Sequence, residues 1–224
     1  MEDGFQNRLL INMAHPGIII KASLADTSVI ADILGEAFYN DPIVCYAAGR
    51  PGLARHLFAA EFRHLYARLG CSFYIRNEQE QMIGCALWAK PGQRLDPSLL
   101  AQLNIAWAVF KFAGLGALQR GLALDAFLKG NHPQEPHCYL HAIGVKSTCR
   151  GQGVGSRLMA HGVKMADHEQ VPAYLENSNE LNLPLYQKYG FEVIEKKNTP
   201  NGGPPIWLMR RPLQVTNPVN NTAS

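Results

Sequence analysis

Residues 137–155 read HCYLHAIGVKSTCRGQGVG, and the rest of the chain is organised around them. The stretch opens as a strand in which Cys138, Leu140 and Ala142 alternate with Tyr139, His141, Ile143 and Val145. A short polar turn follows, carrying Lys146 and Arg150. It ends in glycines at every second position (Gly151, Gly153, Gly155), where an amphipathic helix begins with Leu158, Met159, Val163 and Ala166 on one face. Strand, glycine turn and helix N-terminus together make an anion site, because the turn's N–H groups and the helix dipole both favour negative charge. The stretch predicts a phosphate-bearing ligand.

The chain has 224 residues, enough for one domain with its own core. Its net charge of +3 gives no basic field of the kind that recruits nucleic acid. Five cysteines (45, 71, 85, 138, 149) are scattered without a C-x-x-C pair, the usage of a reducing compartment, with neither a disulfide framework nor a zinc site. Near the N-terminus, Glu2 and Asp3 stand where a secretory signal has basic residues. The longest uncharged apolar run, residues 97–110, has 14 residues, against ~20 for a bilayer-spanning helix. A cytoplasmic protein without a membrane partner is the expectation.

Residues 1–16 read as a loose arm and 212–224 as a polar, disordered tail, flanking one domain at 17–211. Within it, Gly17 to Ala22 predicts a strand, and a helix capped by Asp26 or Thr27 runs to Phe38, stopped by Asp41-Pro42. A second helix spans Leu53 to Leu69. Cys71 to Arg76 and Gln81 to Ala89 form a hairpin. Residues 91–136 are a helix-like insertion interrupted by Gly114, Gly116 and Gly121. After the opening stretch come a strand at Pro172–Glu176, a helix from Asn179 to Tyr189, and two strands, Phe191–Lys197 and Pro205–Arg211.

Three phosphate motifs compete for the glycine turn. A Walker loop needs a lysine after its last glycine, and Gly155 is followed by Ser156. A dinucleotide turn wants a third glycine at Ser156; Glu176, ending the next strand, supports it by analogy with acidic ribose ligands. The third fits best: Arg150-x-x-Gly153-x-Gly155 resembles the [Q/R]-x-x-G-x-[G/A] pyrophosphate motif of the GNAT superfamily of acyl-CoA-dependent N-acetyltransferases. The strand ending Ile143-Gly144-Val145, the strand ending Tyr174-Leu175-Glu176, and Asn182-x-x-x-Tyr186-x-x-x-Gly190-Phe191 match that superfamily's order of elements. The last is one residue shorter between Asn and Tyr than the family signature. Residues 131–211 look most like the subgroup that includes puromycin N-acetyltransferase.

The resemblance implies an α+β fold of three-layer α/β/α type. Its mixed, mostly antiparallel sheet has helices on both faces, and its fourth and fifth strands are parallel and splay apart around acetyl-CoA. Ile143, Gly144 and Val145 would meet the pantetheine arm and thioester. Arg150, Gly151, Gln152, Gly153, Val154, Gly155 and Ser156 would cradle the pyrophosphate. Asn182 would reach the cofactor or cap its helix, capping being the stronger reading. Acetyl-CoA serves as co-substrate, and no metal is implied.

Acyl transfer to an amine requires a proton to leave the nitrogen and a thiolate to be discharged. Tyr186 is the candidate acid; Glu176 and His141 are candidate bases. Strand alternation places His137, Tyr139, His141, Ile143 and Val145 on one face unless a bulge intervenes. Cys149 invites an acyl-cysteine route, but no sequence neighbour activates it. The acceptor pocket is expected between the first two helices, the insertion and the turn before the last strand. Aromatic residues there (Tyr39, Tyr46, Trp88, Trp107, Phe110, Phe112, Trp207) suit a small amine with an apolar body. The expected activity is therefore acetyl transfer from acetyl-CoA to a small-molecule primary amine in a ternary complex, by a monomer or homodimer. The alternatives are a non-catalytic acyl-CoA-binding domain and, more distantly, an NAD(P)-dependent dehydrogenase.

Overall fold

The computed structural model describes residues 17–93 and 97–214; the expected arm at 1–16 and most of the tail lie outside them. Seven strands make one sheet: β1 (Ile19–Lys21), β2 (Phe73–Arg76), β3 (Met82–Ala89), β4 (Cys138–Val145), β5 (Ala173–Asn177), β6 (Glu192–Asn198) and β7 (Pro205–Arg211). Their order is β1-β2-β3-β4-β5-β7-β6. All neighbours are antiparallel except β4 and β5. Helices α1 (Thr27–Ala37), α2 (Pro42–Ala48), α3 (Leu53–Glu61) and α4 (Leu99–Asn131) cover one face; α5 (Val154–His168) and the short α6 (Leu183–Lys188) cover the other. This is the α+β, three-layer arrangement expected.

The parallel pair parts early. Cys138, Tyr139 and Leu140 face Ala173, Tyr174 and Leu175, and beyond them β4 has β3 alone at its side. A β-bulge marks the parting. Consecutive residues Leu87 and Trp88 of β3 pair with Ala142 and Leu140, leaving His141 without a partner on β3.

The bulge corrects the simple alternation. Cys138 and Leu140 sit on the α5 side with Trp88, Leu158 and Met159. Past the bulge, Ala142 joins the α1 side, and Gly144 lies so close to α1 that a Cβ would stand 2.9 Å from Leu34 Cδ2. Ile143 and Val145 therefore pack toward α5, whereas Tyr139 and His141 face the opposite layer.

Other boundaries moved for identifiable reasons. Asp41-Pro42 does not merely stop α1; it starts α2. Asp41 Oδ1 accepts from the N–H groups of Ile43 and Val44 at 3.0 Å each, and proline suits the first helical position. The second helix is interrupted by a π-turn at Phe62–Tyr66 before its final turn, Ala67–Leu69. The insertion is two helical halves, 99–113 and 115–131, joined at Gly114, whose φ of 79° and ψ of −173° no helical residue adopts; Gly116 and Gly121 do not break the second half. Lys111 and Arg120 end the uncharged run but not the helix. Counted across the break, α4 is by length and composition the one helix among the described residues that could cross a membrane, but neither half alone reaches the ~20 residues a span needs. Its second half is tied to α2 by Arg120, whose Nε donates to the carbonyls of Tyr46 (2.9 Å) and Ala47 (3.2 Å).

Trp88 is fully buried rather than pocket-lining. Its ring lies against α5 at Gly162, where a Cβ would come within 2.2 Å. Losing such a ring costs about 3–5 kcal/mol. Trp207 is also core.

Candidate active site

The glycine turn is built from its backbone. Gly151 and Gly153 have φ of 74° and 78°, left-handed values that a side chain would strain, and Gly153 caps α5. Glu36 on α1 anchors the turn by accepting from Ser147 N–H at 2.8 Å, and its hydrogen bonds with Ser147 hold its carboxyl below the usual value. The Gln152 side chain donates its Nε2–H to Thr148 O at 3.0 Å, bracing the turn from within.

The result is a cleft of about 450 Å³ lined by Val145, Cys149–Gly151 and Gly153–Ser156 on one side, with Leu185 and Lys188 of α6 on the other. The first N–H groups of a helix lack intrahelical partners, and here they meet a wall made of glycine. A Cβ on Gly155 would make only ordinary contact with Val145, 3.6 Å away, so packing alone does not demand that glycine. Bare backbone donors, Arg150 and Lys188 suit a pyrophosphate. Gly144 faces α1 and lies outside the lining.

A second, smaller pocket sits where β4 and β5 part. It offers about 30 Å³, room for roughly one water. Phe38, β4 residues Leu140–Ile143, β5 residues Leu175–Asn177, Ser178, Asn182 and Tyr186 line it. The three proton-transfer candidates, Tyr186, Glu176 and His141, are thus brought together, with Ile143 and Asn182. Asn182 stands at the N-cap position of α6 but makes no side-chain cap hydrogen bond; Asn179 Oδ1, accepting from Leu181 N–H at 3.1 Å, caps the 3-10 turn Glu180–Asn182 that leads into it.

Tyr186 arrives from the α5–α6 layer and Glu176 from the opposite one, so acid and base candidates meet through the gap in the sheet. Burial, with the Asp41 carboxylate adding to it, pushes the Tyr186 phenol above its ordinary pKa. Asp41 is itself raised by burial, against the pull of its hydrogen bond from Ser178 Oγ. Glu176, its side chain 7% exposed, lies 3.3 Å from His132 Nδ1. Burial and the Glu176 charge keep the Tyr139 phenol beside it protonated.

His141 is held firmly. Its Nε2–H donates to Glu61 Oε2 at 2.9 Å, its Nδ1 faces the Tyr139 hydroxyl at 3.5 Å, and its ring stacks on Tyr66 with centroids 4.6 Å apart. Sequence reading missed Glu61, Asp41, His132 and Lys188. Only Lys188 had a local signal, two residues after Tyr186.

Beside the region expected to hold the acceptor, the unexpected helix α2 joins α4 to the turn before β7. Tyr46 of α2 receives Arg120 of α4 and donates its hydroxyl to Pro200 O at 2.6 Å in the turn before β7. Tyr39, Trp107 and Phe110 are exposed, and Phe112 lies under the Arg50 guanidinium at 4.5 Å. The Cys149 thiol has Thr148 Oγ1 as a polar neighbour at 3.7 Å. Among the described residues, no three His, Cys, Asp or Glu side chains gather as metal ligands.

Residues 35–191 match the Acetyltransferase (GNAT) family, and the chain belongs to it. An uncharacterized N-acetyltransferase of Schizosaccharomyces pombe is 26% identical over 179 residues, 74% of this chain and 70% of that one. Among solved structures, one described as histone acetyltransferase HPA2 and related acetyltransferase, from Corynebacterium glutamicum, superposes with a TM-score of 0.68 at 28% identity. It covers 89% of this chain and 97% of that one. Arylalkylamine N-acetyltransferase 2 of Aedes aegypti shares the fold alone, at a TM-score of 0.56 and 14% identity over 88% of this chain and 99% of that one. The protein is an acyltransferase of GNAT type. A nicotinamide-dependent role for the glycine turn falls with this, since dinucleotide folds need a mostly parallel sheet and this one has a single parallel pair.

Proposed function

We propose that this enzyme transfers an acetyl group from acetyl-CoA to the primary amine of a small molecule, directly and within a ternary complex. The observation that carries the reading is the pocket at the parting of β4 and β5, where Tyr186, Glu176 and His141 converge. Ile143 belongs to that pocket and Val145 to the glycine cleft, so one strand edge links the two.

In this reading the glycine cleft, with Arg150 and Lys188, holds the pyrophosphate, and the edge of β4 that β5 leaves free receives the pantetheine arm. Glu176 lines the inner pocket, with Asp41 behind it on Ser178 and Glu61 behind it on His141, and these carboxylates favour an ammonium group entering it. Glu176 takes the proton that makes the nitrogen nucleophilic. The new C–N bond forms as the C–S bond breaks, Tyr186 offers its hydroxyl proton to the departing sulfur, and the second proton that the nitrogen sheds on becoming an amide restores the phenol. A phenol with a raised pKa acts there by hydrogen bonding before full transfer. His141 has both ring nitrogens engaged, so it positions its neighbours rather than serving as the first proton acceptor. The five free cysteines fit a cytoplasmic setting.

The test is thiol release from acetyl-CoA over a panel of small amines, with calorimetry for CoA. Turnover with intersecting initial-velocity lines is expected. Absence of CoA binding would overturn the proposal.

A further inference from the structure

Glu176 has little access to solvent, yet a buried base must discharge its proton after each turnover. Resting on the proposed role of Glu176, we infer that a two-histidine relay, His132 then His137, carries that proton out.

The geometry forms an unbroken line. His132 Nδ1 lies 3.3 Å from Glu176 Oε1, His132 Nε2 lies 3.0 Å from His137 Nε2, and His137 Nδ1 lies 2.8 Å from the carbonyl oxygen of Glu135. A carbonyl can only accept, so His137 carries its proton on Nδ1 and its Nε2 accepts from His132. His132 Nε2 therefore bears a proton, and in the neutral ring Nδ1 stands open toward Glu176. In the transfer, the proton taken from the amine by Glu176 passes to His132 Nδ1. The proton on His132 Nε2 moves to His137 Nε2, and the one on His137 Nδ1 leaves to water. Each ring gains a proton on one nitrogen and loses one from the other, which leaves His132 protonated on Nδ1 and His137 on Nε2, so both rings turn over to their starting tautomers before the next proton passes. Burial lowers the His137 pKa, which makes it a poor resting place and a ready exit.

Both histidines are wedged by aromatic rings. His132 lies edge-on to Tyr139 (4.8 Å) and Tyr174 (5.2 Å), and His137 approaches Tyr174 (5.6 Å). The charged groups around the exit are Glu135, paired with Arg210 at 2.9 Å, and Glu176 itself; Lys197 is held by Asn131. His132 stands at the C-terminal end of α4, so the long helix delivers a functional side chain to the site.

The test compares His137→Ala, His132→Ala and His132→Gln in weak buffer, using the panel amine that the unaltered enzyme acetylates fastest. The relay predicts that His137→Ala, which removes nothing in contact with Glu176, lowers kcat about tenfold. The KM for acetyl-CoA should be unchanged, and added imidazole should restore the rate. His132→Gln keeps an N–H toward Glu176 but passes no proton onward, so it should stay as slow as His132→Ala. The relay is overturned if His137→Ala turns over at the parent rate in weak buffer. Rescue of His132→Ala by the glutamine variant would also overturn it, showing that His132 only orients Glu176. If the unaltered protein acetylates no amine, it is the proposed function that fails, not the relay alone.

Discussion

The glycine cleft and the inner pocket lie side by side, yet they are made differently. The cleft is almost wholly one continuous stretch, 145–156, closed by two side chains of α6, and its working parts are backbone N–H groups. The pocket is assembled from α1, β4, β5 and α6, and supported by α3 and the end of α4. Its working parts are side chains whose protonation depends on neighbours distant in sequence. Binding is thus encoded locally and chemistry non-locally, so damage to one should leave the other standing.

The largest expected separation comes from Tyr186→Phe, which removes the proton donor while keeping the ring. We expect kcat to fall about 100-fold while CoA affinity by calorimetry stays within about twofold. A parallel loss of affinity would mean that pocket and cleft are not separable. Because the phenol is the active form and its pKa is raised from 10.0, it stays protonated as pH rises to that value. The kcat–pH profile should show no loss from Tyr186 up to there.

Gly153→Val attacks the other side. A φ of 78° costs a branched residue about 1–2 kcal/mol, which predicts roughly tenfold weaker CoA binding with kcat at saturation nearly intact. Glu61→Gln tests the support of His141: kcat should drop several-fold, and a normal rate would strip His141 of any positioning role. The smallest effect belongs to Lys188→Ala, a loss of about two- to fivefold in CoA affinity that shrinks at high salt. A salt-independent loss would point to packing instead of charge.

The same contrast explains what could be read from the sequence. The glycine turn, α5 and the parallel strands around them were legible because glycine spacing and apolar periodicity are local signals. Tyr186, Glu176 and His141 could be nominated because each lies within a few residues of a recognisable strand or helix end. The pairing of Glu61 with His141, and of His132 with Glu176, spans 80 and 44 residues and left no trace in any window. Asp41-Pro42 misled because a proline that ends one helix is equally suited to open the next. Trp88 misled because aromatic composition does not say which face of β3 is covered by a helix.

The bulge at His141 acts as a frame shift in three dimensions. With that one extra residue, β4 turns Cys138 and Leu140 to the α5 layer before it and Ile143 and Val145 to the same layer after it. Even-numbered and odd-numbered positions have exchanged roles. Deleting His141 would remove the bulge yet leave Ile143 and Val145 on the α5 side; flattening the bulge with His141 kept in regular register would send them into α1, with Ala142 and Gly144 turned toward the cleft. The bulge therefore sets which side chains of β4 reach the cleft, and its geometry is as much a functional element as any side chain the strand carries.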